Sequence, residues 1–387
     1  MLKIAIHQTK EEWLQMQTET TSIHKYFQDI CDPRVTNRSR HSLMDILVIA
    51  LLATLCGAEG FNDIESFAKS KEPWLRTFLE LPNGIPSHDT FNRVFSLISP
   101  EEFSKCFIAW TQAMAQKVEG VVAIDGKTLR SSFDSVSQTA ALHMVSAWSS
   151  ENELVLGQIR TDAKSNEITA IPQLIAMLDL EGSIVTIDAM GCQKGIAKSI
   201  LNAGADYILA LKGNQGNTLE NAQYIFEWEK KNDFRGISSM YETINKDHGR
   251  IETREIYSID VTNMEEFSEW MGLKSITVVV STREIMGQGT ITKETRYYLS
   301  SLSADAEKIG AAVRAHWGIE NSLHWILDVT FREDYARNRK GHSAENMATL
   351  RRMAINLLKK ERSSKVSIRG KRLKASWNND YLVKLFS

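Results

Sequence analysis

Two short apolar runs, each followed by an aspartate, constrain the fold of this chain more than any other feature. The first is Val121–Ile124, which precedes Asp125, and the second is Ile184–Ile187, which precedes Asp188. A continuous β-prone apolar run that ends in turn residues predicts a buried strand. A carboxylate at the end of such a strand needs a partner or a metal ion, because an unpaired buried charge is costly. The two runs therefore predict a buried sheet with acidic residues at one edge.

The order of the segments around these runs predicts how that sheet is connected. Three strand-like segments come first, which is the pattern of an antiparallel meander, and two helix–strand units follow, which suit parallel pairing. The strands are Val121–Asp125, Leu142–Trp148, Leu154–Thr161, Ile184–Asp188 and Tyr207–Leu211, and the helices are Ile168–Leu180, capped by Ser165 or Asn166, and Gln193–Ala203. This order predicts an α/β fold with a ribonuclease-H-like sheet.

The segment before the sheet, residues 1–115, carries apolar residues at helical spacing. The predicted helices are Ser42–Cys56 (preceded by the anchoring stretch 37–40), Phe61–Ser70, Trp74–Leu81 and His88–Leu97, the last with Ser87 as its N-cap. Short helices with a further helix that carries Arg93 suit a helix-turn-helix-like DNA-binding unit. A helical packing or dimerisation module explains the pattern equally well, and the sequence leaves both interpretations open.

The segment after the sheet predicts an insertion and a return to helix. Residues 217–301 contain the charged helix Thr218–Lys231 and then exposed strands, so they are predicted to form a β-rich insertion. The strands are Arg250–Val261, Ser275–Arg283 and Thr290–Ser300, and the later helices are Ala304–Leu327 and Ser343–Lys360. The predicted core is therefore residues 116–216 and 302–362, followed by a basic tail at 363–387.

Composition excludes several classes of protein. No apolar run approaches the ~18 residues that a membrane span needs, and the first residues show no export signal. The four cysteines are scattered without a C-x-x-C pair, which argues against a zinc ribbon or a disulfide framework. We therefore expect a cytoplasmic protein with no membrane partner.

A third acid, Glu320, completes a candidate site. It lies in a predicted helix beside Trp317 and Trp325, and few exposed helices carry two tryptophans next to an acid. Carboxylates that converge at one sheet edge suit Mg²⁺ or Mn²⁺, and two such ions can promote phosphodiester cleavage. A rival hypothesis is that His316, Glu320 and His324, spaced i, i+4, i+8, ligate zinc or iron. A purely structural role for His324 is the preferred interpretation of that residue.

The distribution of basic residues predicts a nucleic-acid partner, although the net charge of the whole chain is only −2. Between Phe331 and Lys374, fourteen basic residues face four acidic ones, and a segment of net charge +10 suits a phosphate backbone. Further polar residues follow the strand ends. The candidates for DNA contact in these two groups are Lys127, Arg130, Lys194, Lys212, Asn214, Arg332, Arg337 and Arg339.

Motifs spread over nearly the whole chain are similar to those of one known family. They are Gly84–Phe91, Ile124–Lys127, Lys164–Ile168, Thr186–Met190, Leu211–Gln215, His248–Glu252, His316–Asn321 and Leu327–Val329. In this order they resemble the DDE transposases of insertion sequences, specifically the ISAs-type group that includes the H-repeat-associated proteins.

This resemblance implies an activity and a set of site residues. It implies that Asp125, Asp188 and Glu320 form the catalytic, metal-binding triad, with Mg²⁺ as the cofactor and Mn²⁺ able to replace it. It implies cleavage and strand transfer on double-stranded DNA at the ends of an element, by a homodimer or a higher oligomer. The wider clan often has Tyr and Arg before the Glu and Lys after it, whereas this chain has Val313, His316 and Leu327 there. Phosphate contacts are therefore assigned to Arg314, His316 or Arg332.

Two other functions remain open from the sequence. The chain could be a catalytically silent, transposase-derived protein that binds a specific DNA sequence. It could also be a structure-selective nuclease that cuts branched DNA without joining a 3′ end to a target.

Overall fold

The computed structural model describes residues 23–35, 39–133, 140–161, 167–247, 249–287 and 290–386. Several sequence predictions lie outside the described residues: the cap at Ser165 or Asn166, most of the Lys164–Ile168 motif, the positions Asn37 and Arg38 before the first long helix, and His248 in the motif of the insertion.

One mixed sheet contains the strands of the described residues. The strands are β1 Val121–Leu129, β2 Leu142–Ser149, β3 Leu154–Arg160, β4 Ile184–Ile187, β5 Asp206–Leu211, β6 Ser239–Asp247, β7 Arg250–Asp260, β8 Ser275–Ile285 and β9 Thr290–Ser300. Their order is β3-β2-β1-β4-β5-β9-β8-β7-β6. The first three strands are antiparallel, and β1, β4 and β5 are parallel, as the sequence pattern predicts.

Strand β1 is longer than predicted. The turn-like residues after Asp125 indicated that the strand ends there, but it continues to Leu129. The reason is the partner strand, because β2 pairs with this extension from Asp125 opposite Ser146 to Leu129 opposite Leu142. The carboxylate of Asp125 therefore projects from the middle of a strand.

Helices cover both faces of the sheet and form a bundle at one side. They are α1 Ile23–Phe27, α2 Leu43–Leu55, α3 Phe61–Ser70, α4 Glu72–Leu75, α5 His88–Leu97, α6 Pro100–Ala115, α7 Glu167–Met177, α8 Lys194–Asn202, α9 Gly216–Lys231, α10 Ala306–His316, α11 Trp325–Val329, α12 Ser343–Lys360, α13 Ile368–Trp377 and α14 Asn379–Lys384. Helices α7 and α8 pack Ile171 and Ile196 against one face. Helix α10 packs Ile309 against the other. None of the helices that the structure describes is long and apolar enough to cross a bilayer.

The helices before the sheet share their hydrophobic core with helices from the end of the chain. Phe27 and Phe91 lie in the same buried cluster as Leu323, Leu350 and Leu382. A domain normally has a core of its own, so the structure does not confirm a separate helical domain at 1–115. The boundary stays a prediction.

The β-rich insertion also joins the main body, because β9 pairs antiparallel with β5 and extends the central sheet. Strand β6 lies at the far edge and was not predicted. Its sequence has no apolar run, and most of its side chains are exposed, so the pattern gave no sign of a buried strand.

The predicted basic tail at 363–387 is helical and packed onto the body. Helices α13 and α14 occupy most of it, and Lys371 and Arg372 are buried. The ammonium group of Lys371 donates to the carbonyl oxygen of Leu358 at 2.8 Å, and Arg372 Nη2 donates to that of Thr54 at 3.0 Å. These two charges hold the helices in place and are not free to contact phosphates.

Candidate active site

Asp125 and Asp188 lie at the same level along two neighbouring parallel strands. Ile124 in β1 is the partner of Ile187 in β4, so the aspartate that follows each strand residue lies at one level of the sheet. The carboxylate of Asp188 is held by its own turn, because Oδ1 accepts hydrogen bonds from the backbone N–H of Met190 at 3.0 Å and of Gly191 at 3.4 Å.

Glu320 begins a π-helical turn, Glu320–His324, between α10 and α11. Ile319 and Leu323 are fully buried in the shared core and anchor this turn, whereas the side chain of Glu320 is exposed. π-helical turns inside helices occur frequently at functional sites. The extra residue of the turn shifts the side chains that follow relative to those that precede it.

The electrostatics of Asp125 indicate that several acids lie near one another. The pKa of Asp125 is raised to about 7, chiefly by burial and also by the charges of Asp188, Glu167 and Glu320, while a hydrogen bond from the Gly126 N–H acts in the opposite direction. Like charges raise a carboxyl pKa only over short distances. Asp125 therefore lies within electrostatic range of three other acids.

The donor set suits a hard divalent cation, because carboxylate oxygens are the ligands that Mg²⁺ and Mn²⁺ take. Among the described residues, no three acidic, histidine or cysteine side chains lie close enough to hold one ion as they stand. Binding would therefore require Asp125, Asp188 and Glu320 to move closer together, and the charge of the bound cation would offset their mutual repulsion.

His324 contacts Asp125 from the helical side. Its Nδ1 lies 3.4 Å from Oδ2 of Asp125. Burial lowers the pKa of His324 to about 3, with smaller contributions from the charges of Arg352 and Lys127. The imidazole is therefore neutral at physiological pH, and the contact is polar rather than an ion pair.

His316 is fixed by a different strand. Its Nδ1 lies 2.9 Å from Oγ1 of Thr186, and burial lowers its pKa although Asp188 acts in the opposite direction. His316 thus contacts β4 while His324 contacts β1, and the two do not form a ligand group with Glu320 in the described structure. The zinc or iron hypothesis finds no support, and a DNA contact by the half-buried His316 stays a prediction.

Sequence analysis did not single out a polar chain, a series of hydrogen-bonded side chains that lies near Asp125. Thr128 Oγ1 lies 2.7 Å from His143 Nδ1, and His143 Nε2 lies 2.8 Å from Glu167 Oε1. Gly126 makes room for this chain, because a Cβ there would lie 2.1 Å from the Glu167 carboxylate and 2.4 Å from the His143 ring. The available signals were Glu167 within the Lys164–Ile168 motif and the glycine next to Asp125.

Replacing Gly126 with Ala is expected to break the His143–Glu167 contact by steric overlap. We expect the free energy of unfolding to fall by about 1 kcal/mol, the typical value of one hydrogen bond. Urea unfolding measures the change. Gly213→Ala is the matched control, because nothing lies within 4 Å of its Cβ position. Equal stability of both variants would show that the polar chain contributes nothing.

Lys127 does not favour the predicted DNA contact. It is buried, and its ammonium group lies 2.6 Å from Asp328 Oδ1 and 3.2 Å from Asp334 Oδ1. Because two carboxylates already neutralise it, its position indicates a structural role that ties β1 to α11 through Asp328 and to the segment after α11 through Asp334.

The other predicted DNA-contacting residues lie mostly at the surface. Arg130 is exposed, with its Nε 3.6 Å from Asp334, and Lys194 forms an ion pair with Glu269. Asn214 Nδ2 donates to the carbonyl oxygen of Ala189 at 2.7 Å, which ties the loop after β5 to the turn that carries Asp188. Lys212 is exposed.

A second group follows the glutamate helix. Arg314 and Arg337 are exposed. Arg332 lies over the Tyr335 ring and 3.7 Å from Glu59, and Arg339 Nε donates to the carbonyl oxygen of Ser131 at 3.1 Å. DNA binding by these residues stays a prediction.

Two arginines counted in the basic segment lie in the interior. Arg351 and Arg352 are buried and pair with Glu333, whose carboxylate is 0% exposed. With Lys371 and Arg372 they remove four of the fourteen basic residues from any exposed surface. The net charge of +10 is therefore not the charge of one DNA-binding face.

Comparisons with known proteins agree with this architecture. A DDE_Tnp_1-associated family model matches residues 24–111, and a "Transposase DDE domain" model matches residues 116–357. The chain is 42% identical over 374 residues to "H repeat-associated putative transposase YhhI" of Escherichia coli K12, covering 95% of this chain and 98% of that protein. It is 42% identical over 370 residues to "Putative transposase YncI" of Escherichia coli O157:H7, covering 95% and 94%.

A structural comparison finds a piggyBac transposase in a synaptic complex with hairpin DNA, solved by cryo-electron microscopy. The TM-score is 0.42 and the sequence identity 12%, over 96% of this chain and 81% of that one.

Proposed function

Because the chain belongs to the transposases with a DDE domain, we propose that it cuts DNA at the ends of an insertion element and joins those ends to a target. Asp125, Asp188 and Glu320 are the proposed catalytic residues. The observation that supports the proposal best is the pairing of Ile124 with Ile187, which sets Asp125 and Asp188 at one level of two neighbouring parallel strands.

The reaction consists of two displacements at phosphorus. A water oxygen attacks the scissile phosphate, loses a proton, and displaces the 3′ oxygen, which leaves as a hydroxyl. That 3′-OH then attacks a phosphate of the target strand and displaces the target's own 3′ oxygen. Bound Mg²⁺, or Mn²⁺ in its place, would supply Lewis-acid stabilisation of the attacking and leaving oxygens.

The protein's part is to hold three carboxylates in position. The turn after β4 fixes Asp188 through the N–H groups of Met190 and Gly191. The neutral His324 restrains Asp125 without adding a positive charge that would compete with a cation. Because water and the 3′-OH are the nucleophiles, the proposed site needs no side-chain nucleophile.

The substrate is proposed to be double-stranded DNA, held by a homodimer or higher oligomer. The exposed cations around the strand ends and the glutamate helix, including Arg130, Lys212, Arg314 and Arg337, support this proposal. They lie near the carboxylates in sequence and project from the surface, where a phosphate backbone can reach them.

A DNA cleavage and joining assay tests the function. The substrate is a labelled duplex with the inverted repeats that flank the reading frame, together with a supercoiled target plasmid and Mg²⁺. We expect nicked ends and joined products that disappear when EDTA is added. Binding without cleavage would identify a silent DNA-binding protein, and cleavage of branched DNA without joining would identify a structure-selective nuclease.

A further inference from the structure

The two edges of the nine-stranded sheet differ in one respect. The edge strand β3 is covered by α6 and α12, and the Asn356 side chain bonds to the backbone of Val155, accepting from its N–H at 2.8 Å and donating to its carbonyl oxygen at 2.9 Å. Among the described residues the edge strand β6 pairs with β7 alone, and α10 contacts its start, where Ser239 Oγ accepts a hydrogen bond from the Ala306 N–H at 3.1 Å. A strand edge that pairs with no other strand is a template for pairing.

Strand β6 carries exposed apolar and charged side chains in a regular pattern. Every second side chain of the strand points to the same face, and on one face these are Met240, Glu242, Ile244 and Lys246. Met240 is 56% exposed and Ile244 66% exposed. Within the described ranges, neither Glu242 nor Lys246 has an ion-pair partner.

The charge of Glu242 is also electrostatically unfavourable within a single chain. Its partner across the β6–β7 ladder is Glu255, so two carboxylates lie directly opposite each other. Like charges at opposite positions destabilise a strand pair. A cation on the outer side of Glu242 would relieve this repulsion.

We propose that β6 pairs antiparallel with β6 of a second copy of this chain, about a two-fold axis at Ile244. In this register two residues lie opposite each other when their numbers add to 488. Glu242 then lies opposite the second copy's lysine at position 246, and Lys246 lies opposite the second copy's glutamate at position 242. Ile244 meets its own counterpart at the axis. Shifting the axis to Thr243 or Asn245 loses both charge pairs, so the sequence of the strand selects one register.

The other free edge in this region does not offer the same complementarity. Only the end of β9 from Tyr297 pairs with β5, so the residues from Thr290 to Arg296 have an open side. An axis at Thr295 would place Glu294 opposite the second copy's arginine at position 296, but these two side chains already pair within the chain at 2.8 Å, whereas Glu242 and Lys246 of β6 have no such pair among the described residues. The surface is therefore assigned to β6.

Cysteine cross-linking tests the register. In a background with the exposed Cys31 changed to Ser, I244C is expected to form a disulfide between two copies under mild oxidation. Opposite Cβ atoms of an antiparallel pair lie about 4.5–5.5 Å apart, near the separation that a disulfide needs. T295C is the matched control, since Thr295 is exposed on the open part of β9, at the axis that would bring Glu294 and Arg296 of two copies together. Cross-linking of T295C in place of I244C would move the interface to β9 and overturn the proposal.

Charge reversal tests the pairing itself by sedimentation equilibrium. E242K or K246E alone turns two attractive pairs into two repulsive ones, so each is expected to raise the dimer dissociation constant about tenfold. The double variant E242K/K246E restores dimerisation, and a mixture of the two single variants forms heterodimers. A double variant as weak as the singles, or a wild-type chain that stays monomeric, refutes the proposal.

The proposal is independent of the proposed chemistry. Asp125→Asn is expected to dimerise like the wild type, because β6 lies at the far end of the sheet from β1. Loss of cleavage with an intact dimer, or the reverse, therefore separates the two conclusions.

Discussion

Replacing Asp125 with Asn is expected to reduce Mg²⁺-dependent nicking by at least about 10³-fold, because the variant removes a charged ligand and with it several kcal/mol of transition-state stabilisation. DNA binding is expected to persist, since Asp125 is largely buried and the exposed cations are unchanged. Single-turnover nicking of a labelled duplex measures the effect. Asp179→Asn is the control, because Asp179 is exposed before β4, at the opposite end of the strand from Asp188. Nicking at the wild-type rate in Asp125→Asn would remove this residue from the site.

The same variant is expected to be more stable than the wild type when no metal is present. The pKa of Asp125 rises from its ordinary 3.8 to about 7, so the folded state holds this proton more tightly than the unfolded state does. The stability that Asp125 contributes is present below pH 4 and is lost as the pH rises through 7. At pH 8 the variant should gain on the order of 4 kcal/mol, and the two proteins should converge towards pH 4. Urea unfolding in EDTA measures this, and equal stabilities at pH 8 would contradict the burial of a charged Asp125.

Glu333→Gln is expected to lower the free energy of unfolding by roughly 3–5 kcal/mol, since it leaves two buried arginines without a counter-charge. Glu333 Oε1 lies 2.8 Å from Arg352 Nη1 and 3.7 Å from Arg351 Nη1, and all three side chains are almost fully buried. Urea unfolding at pH 7 measures the loss. Glu72→Gln is the control, because Glu72 forms a partly exposed pair with Arg76 at 2.7 Å, worth about 0.3–0.5 kcal/mol.

A triple variant separates the value of the ion pairs from the cost of breaking them. Changing Glu333 to Leu together with Arg351 and Arg352 to Met removes all three charges at once. Buried ion pairs replaced by apolar residues of similar volume are often neutral in stability. We therefore expect the triple variant to be more stable than Glu333→Gln, and a lower stability would show that the charged triad is itself strongly stabilising.

The central strands could be predicted because they are buried on both faces. Val121–Ile124 and Ile184–Ile187 are uninterrupted apolar runs, and local sequence is sufficient for such segments. The parallel pairing then places Asp125 and Asp188 together, because each follows its run directly. The positions of these two acids in the sheet could therefore be predicted from a few neighbouring residues.

The remaining elements depend on contacts that are distant in sequence. Strand β6 has exposed side chains on both faces, so its alternation carries no apolar signal and its only evidence is the pairing with β7. The π-helical turn at Glu320 reads as ordinary helix in the sequence. The polar chain from Thr128 to Glu167 forms only after β1, β2 and α7 have packed.

Counting charges along the C-terminal segment gave the wrong picture for a similar reason. Arg351 and Arg352 lie on a helix whose residues are buried almost all round, and their partner Glu333 precedes that helix. A run of basic residues predicts a DNA-binding surface only if the segment is exposed. Exposure is a property of the tertiary structure, and the linear count does not contain it.

The shared core of the first and last helices has a consequence for synthesis on the ribosome. Phe27 and Leu385 belong to one buried cluster, so this cluster can close only after residue 385 has left the exit tunnel of the ribosome. Until then the faces of α2 and α5 that pack against α12 remain exposed. A polypeptide that ends before residue 385 would therefore be expected to bind chaperones or to be degraded by proteases. A frameshift late in the gene would then abolish function as effectively as the loss of a catalytic residue.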